Sequence, residues 1–408
     1  MVAAAIAIAG CSGGDGMTDK APVAAPASTA PDVFDVAIPQ ITSALKAAFN
    51  DGDVAFSRPV TDADGLGPLY TRVSCDACHS TGVRGPGLVQ KMSVVQADGV
   101  TPSLDQSLLP YGHTVHPLLT GDAHTPIVPP KDKSVFVTTR VGPPILGRGY
   151  MEAIDDSELE RVESEQAART DDIHGRVNHV VYASEMSADP SYHTHVKGDA
   201  VLGRFGLKSR VATLDDFTAD AFQGDMGITS PLRPVEFKNP DGLLDDAKPG
   251  VDLELESVKT RATYVRLLAI PERRKDDAGS ALFAETLCSV CHAPTMHTRA
   301  DYPVAELADM DAPVYTDLLL HHMGPGLADG LPADPAVDGE ASSFDWRTAP
   351  LIGLRFNRTF LHDGRATTVE DAITSHGGQG SEANESIQRF NALSDDDHKT
   401  LVEFVQGL

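Results

Sequence analysis

Cys75-Asp76-Ala77-Cys78-His79 and Cys288-Ser289-Val290-Cys291-His292 are two copies of the pattern Cys-x-x-Cys-His, and they contain four of the five cysteines in the 408-residue chain. This pattern is typical of c-type haem attachment. Two thiols three positions apart can each bond one vinyl group of a haem, and the next imidazole can then bind the iron. A redox dithiol does not require that histidine, and a zinc site needs four ligands. The sequence therefore predicts two covalently bound haem c groups, attached through Cys75, Cys78, Cys288 and Cys291, with His79 and His292 as axial iron ligands.

The residues around each motif have the pattern of a small helical lobe. A Leu-aromatic pair precedes each first cysteine, Leu69-Tyr70 in one case and Leu282-Phe283 in the other, and we expect a helix at both places. Thr213 and Thr368 each stand three positions before an acidic residue, as at a capped helix start. Residues 401–408 carry apolar side chains at helical spacing, which predicts a terminal helix packed on the lobe.

The predicted fold is mainly α, with two cytochrome c-like haem lobes and long irregular loops. Residues 46–268 would form the N-terminal lobe with the first haem, and residues 269–408 the C-terminal lobe with the second. Glycine and proline are frequent, with 35 and 28 residues, whereas aromatic residues make up only 6 % of the chain. A haem would therefore supply part of each core.

The first residues have the pattern of a lipoprotein signal. Residues 1–10 form an apolar run that ends in Ile8-Ala9-Gly10-Cys11, shorter than the about 20 residues that span a membrane. We expect cleavage before Cys11 and lipidation of its thiol; an ordinary signal peptide with an unmodified cysteine is the alternative. Residues 11–45 would be a flexible tether. These features predict a periplasmic, lipid-anchored protein at the outer membrane of a Gram-negative bacterium.

The charge of the chain restricts its partners. The formal net charge is −26 at pH 7, which disfavours nucleic acid and favours basic proteins and cations. The predicted partners are a small-molecule redox substrate and a redox protein, and nucleic acid is not among them.

Six further segments make the chain resemble the bacterial di-haem oxidoreductase family, whose members carry the label thiol oxidoreductase, and more distantly the di-haem cytochrome c peroxidases. The resemblance covers about residues 50–408 and lies in residues 65–69, 202–208, 225–231, 315–324, 346–351 and 360–368. The chain departs from the family pattern at His322, where Asp is usual, and by an insertion around residues 187–195. The resemblance implies redox chemistry on a small substrate, with peroxide or a thiol as the leading suggestions.

The sixth iron ligands decide the function, because a haem with two strong protein ligands transfers electrons whereas one with an open face binds a small substrate. His376 is the candidate for the second haem, since it would share the apolar face of the helix that begins after Thr368. The resemblance also implies a distal ligand at this position. A buried histidine bonded to backbone is the alternative interpretation, and Met323 is a competing ligand.

The first lobe differs at the equivalent position. Ala221 stands where the second lobe has His376, so the repeat breaks where a ligand would be. Asp225 follows, and Asp225-Met226-Gly227 resembles the Glu-Met-Gly of the di-haem peroxidases, where the resemblance implies a distal acid over the reactive haem. A carboxylate there can move a proton between the two oxygens of a peroxide. The alternative is a loop aspartate that caps a helix or binds an ion. Weaker candidates for the sixth ligand of this haem are His113, His116 and Met226.

The sequence therefore predicts a periplasmic di-haem c-type oxidoreductase, in which haem 2, at the second motif, passes electrons to a reactive haem 1, at the first motif, with Asp225 as the catalytic residue. The alternative is a non-catalytic di-haem electron carrier linked to periplasmic iron handling. Arg204 and Arg365 lie in glycine-flanked turns and are candidates for pairing with haem propionates, or else form surface salt bridges.

Overall fold

The computed structural model describes residues 34–79, 88–243 and 250–408. The predicted signal peptide, Cys11 and residues 11–33 of the predicted tether lie outside these residues. Helices are the main regular structure. They are α1 (Ser43–Ser57), α2 (Asp76–His79), α3 (Arg148–Ala153), α4 (Asp156–Ala167), α5 (Leu214–Met226), α6 (Leu255–Leu267), α7 (Asp277–Glu285), α8 (Cys288–Cys291), α9 (Pro335–Asp338), α10 (Val369–Thr374), α11 (Asn384–Asn391) and α12 (Asp395–Gly407). None of these described helices combines the length and the apolar character that crossing a membrane requires.

The strands are short and scattered. They are β1 (Leu69–Tyr70), β2 (Leu88–Val94), β3 (Leu118–Leu119), β4 (Val135–Val141), β5 (Asn178–Val181), β6 (Ala200–Gly203), β7 (Met296–His297), β8 (Asp311–Ala312), β9 (Leu320–His322) and β10 (Asp345–Arg347). They form antiparallel pairs, β1 with β3, β2 with β4, β5 with β6, β7 with β8, and β9 with β10. Within the described ranges no ladder exceeds two strands, so helices and loops build the core, in agreement with the predicted mainly α fold.

Two pairs of helices cross at a glycine that faces an aromatic residue. α1 packs against α6, and a Cβ atom at Gly52 would lie 2.6 Å from the Cβ of Tyr264. α7 packs against α12, and a Cβ atom at Gly279 would overlap the Cβ of Phe404. The predicted terminal helix is thus confirmed, and it packs on the helix that precedes the second motif. The same arrangement occurs once in each predicted lobe.

We expect Gly279→Ala to lower the free energy of unfolding by about 1–3 kcal/mol, because the added methyl group must push α7 away from α12. Thermal unfolding followed by circular dichroism measures this. Gly407→Ala in α12 is the matched control, since a Cβ atom there meets nothing within 4 Å. Equal stability of the two variants would contradict the close crossing.

Both predicted threonine caps are confirmed. The Thr213 hydroxyl accepts a hydrogen bond from the Asp216 amide at 3.4 Å and starts α5, and Thr368 accepts one from the Asp371 amide at 3.0 Å and starts α10. α10 ends at Thr374, so the observed helix is shorter than the predicted one, which would have included His376. His376 lies in the turn that follows, where its amide donates to the carbonyl of Ile373 at 3.0 Å.

The predicted helix directly before the first motif is wrong. Leu69 and Tyr70 form β1 and pair with β3 instead. Pro68 has no amide hydrogen to donate, and Gly65 and Gly67 have φ of 98° and 107°, a region outside the right-handed helix. In this half of the chain the helix that packs against α6 is α1, which lies further upstream.

The last residues assigned to the tether lie against the body of the protein. Ala37 and Ile38 are buried, and the Ile38 amide donates to the carbonyl of Leu267 at the end of α6 with a length of 2.9 Å. α1 then begins at Ser43. The described part of the chain is therefore anchored to α6 before α1 starts.

Candidate haem sites and the surroundings of Asp225

The second motif places its histidine opposite His376. The ring centroids of His292 and His376 are 6.3 Å apart. Nδ1 of His292 lies 3.3 Å from the carbonyl oxygen of Tyr315, and Nδ1 of His376 lies 2.7 Å from that of Ala372. A hydrogen bond through Nδ1 orients each ring and leaves Nε2 as the atom that binds a metal. Two metal–imidazole bonds of about 2 Å each fit between rings at this separation.

The electrostatics and the walls of this site also suit a haem. Burial lowers the pKa of His292 to about 4 and lowers that of His376 too, so both rings are neutral at pH 7, as metal ligands must be. Cys288, Tyr315 and Leu361 are only partly buried, and they border the apolar cluster formed largely by α7, α10 and α12. The site thus offers an apolar crevice next to two neutral imidazoles.

The first motif lacks such a pair among the described residues. The His79 ring lies 6.2 Å from that of Phe56, centroid to centroid, and a Cβ atom at Gly142 would lie 3.2 Å from its Cε1. Burial lowers the pKa of His79 to about 4. No described histidine ring stands opposite His79 as His376 stands opposite His292. Ala221, the position equivalent to His376, is exposed on α5.

Asp225 lies beside the first motif. Its carbonyl accepts a hydrogen bond from the Thr71 amide at 2.7 Å, which ties the end of α5 to the segment that leads into Cys75. Its carboxylate acts electrostatically on Cys78, on Lys91 in β2 and on His116. Burial raises the pKa of the Asp225 carboxyl, and the charge of Lys91 opposes that effect. The structure therefore brings a carboxyl with a raised pKa next to the second cysteine of the motif.

The chain matches the family described as "Di-haem oxidoreductase, putative peroxidase" over residues 128–408, more than half of its length. It belongs to the di-haem oxidoreductase family. The matched range contains the second Cys-x-x-Cys-His motif, and the first lies before it. The family supports two haems, at what we call the haem 1 site (residues 75–79) and the haem 2 site (residues 288–292).

Two solved structures are similar to this chain at low identity. Hydrazine synthase of Kuenenia stuttgartiensis is 13 % identical with a TM-score of 0.37, over 92 % of this chain and 91 % of that one. A variant of the di-haem peroxidase BthA from Burkholderia thailandensis is 14 % identical with a TM-score of 0.37, over 90 % and 86 %. No curated protein matches the chain.

Two buried arginines fit the propionates of a haem. Arg148 and Arg347 are 4 % and 7 % exposed, and neither forms an ion pair with a described carboxylate. Burial and their mutual repulsion lower the pKa of Arg148, and burial lowers that of Arg347 to about 10. The charge of Arg148 acts on His79, and the carboxylate of Asp317 acts on Arg347. The amide of Asp317 bonds the carbonyl of Cys291. Two buried arginines that form no ion pair among the described residues can accept anions, and haem propionates would supply them.

The arginines chosen from the sequence have other partners. Arg204 forms an ion pair with Asp156, and Arg365 forms one with Asp363 at 2.5 Å. Both are therefore neutralised by the protein itself, and the expectation that they pair with propionates is not supported. Arg148 also lies between two glycines, at the start of α3, so the flanking glycines that pointed to the first two arginines point to it as well.

The two methionine candidates lie in different surroundings. Met226 is 5 % exposed and packs in an apolar cluster that includes Val60, Phe222 and Ile228, which favours a core role over iron binding. Met323 follows β9, and its amide donates to the carbonyl of Phe344 at 2.9 Å. Of the two candidates for haem 2, the geometry favours His376.

The two histidine candidates for haem 1 are both tied to the backbone. Nδ1 of His113 lies 3.0 Å from the carbonyl oxygen of Met92, and Nε2 of His116 lies 2.8 Å from that of Gly224. His116 therefore stands next to Asp225, at the end of α5. Its role as an iron ligand stays a prediction.

His321 is a buried, charged histidine at the haem 2 site that was not predicted from the sequence. His321 has Nε2 2.9 Å from Asp317 and Nδ1 2.7 Å from Glu382. Its Nδ1 is also 3.7 Å from the sulfur of Cys291. Burial alone would lower the pKa of His321, but Cys291 and Asp317 raise it well above its usual value. Both nitrogens can then donate, and the imidazolium fixes the backbone around the second motif.

Proposed function

We propose that this chain is a periplasmic c-type di-haem oxidoreductase that reduces hydrogen peroxide at the haem 1 site, with electrons that arrive through the haem 2 site. The overall reaction takes one peroxide, two electrons and two protons to two waters, and a redox protein partner supplies the electrons. The observation that carries the proposal is the asymmetry between the sites: His376 faces His292, whereas a carboxyl with a raised pKa lies beside Cys78.

Each side chain has a distinct task in this proposal. A haem, when bound, supplies one-electron chemistry and a face on which a small oxygen ligand can sit. His292 and His376 would both hold the iron of a haem at the haem 2 site, which suits electron transfer. Asp225 takes a proton from one peroxide oxygen and returns it to the other. Because a buried carboxyl exchanges protons closer to neutral pH than an exposed one, its raised pKa suits both steps.

The four cysteines support covalent attachment over thiol chemistry. Burial raises the pKa of Cys75 to about 11 and raises that of Cys78, Cys288 and Cys291. Buried thiols with raised pKa values are poor nucleophiles, so a redox dithiol is the weaker interpretation. Mass spectrometry of the denatured protein tests this directly, because thioether-bound haem stays on the chain and dissociable haem is lost.

The optical spectrum of the oxidised protein tests the function. A high-spin charge-transfer band from one haem, together with consumption of peroxide by the half-reduced protein, is the expected result. Two low-spin haems and no reaction with peroxide in either oxidation state would favour the alternative, a di-haem electron carrier.

We further propose that the protein is held at the outer membrane by lipid on Cys11. Wild-type protein is then expected in the membrane fraction, and Cys11→Ala in the soluble periplasmic fraction, because the only proposed attachment is removed. Ser12→Ala is the matched control and should stay with membranes. Soluble wild-type protein whose mature mass lacks acyl chains would contradict the proposal.

A further inference from the structure

The polar groups around Asp225 do not satisfy one another. Among the described residues, the Asp225 carboxylate has no hydrogen-bond partner, and the Lys91 ammonium has one, the Thr114 hydroxyl at 2.6 Å. No described carboxylate lies within ion-pair distance of Lys91. Lys91 and Asp225 are both partly buried, and each is the opposite charge that acts most strongly on the other. The two side chains make no direct hydrogen bond or ion pair. The Lys91 ammonium bonds Thr114, two residues before His116, whose ring lies against the carbonyl of Gly224 next to Asp225.

Two further polar side chains, those of His116 and Thr71, lie close to Asp225. His116 and Thr71 are 9 % and 3 % exposed, and neither Nδ1 of His116 nor the Thr71 hydroxyl has a partner among the described residues. His116 is held against α5 through Gly224, and the Thr71 amide bonds the carbonyl of Asp225. Unpaired buried donors and acceptors are costly, so these two atoms, together with the unbonded Asp225 carboxylate and the Lys91 ammonium, indicate a site for a small polar ligand.

Lys91 is the cation that acts most strongly on the Asp225 carboxyl, and two neighbouring arginines are already paired. Arg210 pairs with Asp220, and Arg233 pairs with Asp216 at 2.6 Å. Burial lowers the pKa of Lys91 to about 8, so the ammonium is still mostly charged at pH 7. A cation and a carboxyl that act on each other without direct contact suit a ligand that carries negative charge at one end and exchanges a proton at the other.

We propose that Lys91 is a substrate-binding residue of the haem 1 pocket, which holds a small peroxide or oxyanion between the Lys91 ammonium and the Asp225 carboxyl. The inference rests on the proposed function and names its substrate class. Bound haems would supply the two electrons that break the oxygen–oxygen bond. Lys91 would stabilise the negative charge on the departing oxygen until that oxygen takes the proton held by Asp225 and leaves as water.

Anion binding to the oxidised holoprotein tests the role of Lys91 without turnover. Azide and fluoride are titrated optically into wild type, Lys91→Met, Lys91→Gln and Lys91→Arg. We expect both neutral variants to raise the Kd of both anions by about ten- to hundredfold, the cost of losing one charged hydrogen bond, and Lys91→Arg to stay within about threefold of wild type. KM for peroxide should rise in the two neutral variants and stay near the wild-type value in Lys91→Arg. Lys133→Met, at an exposed position before β4, is the matched control and should bind both anions like wild type.

Three results would overturn the proposal. One is an unchanged Kd in the neutral variants with normal haem content. Another is loss of haem 1 from both neutral variants but not from Lys91→Arg, which would make Lys91 a structural residue. The third is a wild-type protein that binds neither anion. A wild type that binds anions through Lys91 but does not turn over peroxide would instead refute the proposed function and leave Lys91 as an oxyanion-binding residue.

Discussion

Replacing Asp225 by Asn is expected to slow peroxide reduction by about 10²- to 10⁴-fold, the usual cost of removing a positioned general acid or base. The amide keeps the shape of the side chain but can neither accept nor return the proton. Stopped-flow mixing of the half-reduced protein with peroxide measures the rate. The haem content and the spectrum of haem 2 should not change, because Asp225 lies beside the first motif.

The pH dependence gives this prediction a second readout. Burial raises the pKa of Asp225, and the first proton transfer needs the carboxylate. The wild-type rate should therefore fall as the pH is lowered through that raised pKa, above the usual range for aspartate, and Asp225→Asn should lose this limb of the profile. Asp122→Asn, on an exposed loop, is the control and should keep both the rate and the profile. Equal rates for wild type and Asp225→Asn would exclude Asp225 from the mechanism.

Replacing His376 by Ala is expected to convert haem 2 from low spin to high spin while both haems stay attached. The ring that faces His292 at 6.3 Å is lost, but the four cysteines are untouched. Optical and electron paramagnetic resonance spectra measure the change. Added imidazole should restore the low-spin spectrum, since the truncated side chain leaves room for a free ring.

Met323→Ala is the control for this prediction. Met323 lies beyond β9 and its amide bonds the backbone of Phe344, so we expect the spectrum of haem 2 to stay low spin. If Met323→Ala produced the high-spin spectrum and His376→Ala matched wild type, the assignment of the sixth ligand to His376 would be wrong.

Features that depend on neighbouring residues could be predicted from the sequence. Each of these features depends on a short run of residues: the Cys-x-x-Cys-His motifs, the Thr213 and Thr368 caps and the terminal helix. The errors were local as well: the glycines around Pro68 break the expected helix before the first motif, and α10 ends before His376. The family resemblance, confirmed by the match over residues 128–408, rests on similar short segments.

The sequence by itself determined two haem motifs and a mainly helical fold, with Asp225 as a candidate catalytic residue and His376 as a candidate iron ligand. Only the tertiary structure showed that Lys91 is the cation acting most strongly on Asp225, and that Arg148 and Arg347 are buried without an ion pair among the described residues. A single lysine in a strand, or a single arginine in a turn, has the same local pattern whether it is a surface charge or a binding group. The difference lies in burial and in missing counter-charges, and those depend on segments that are distant along the chain.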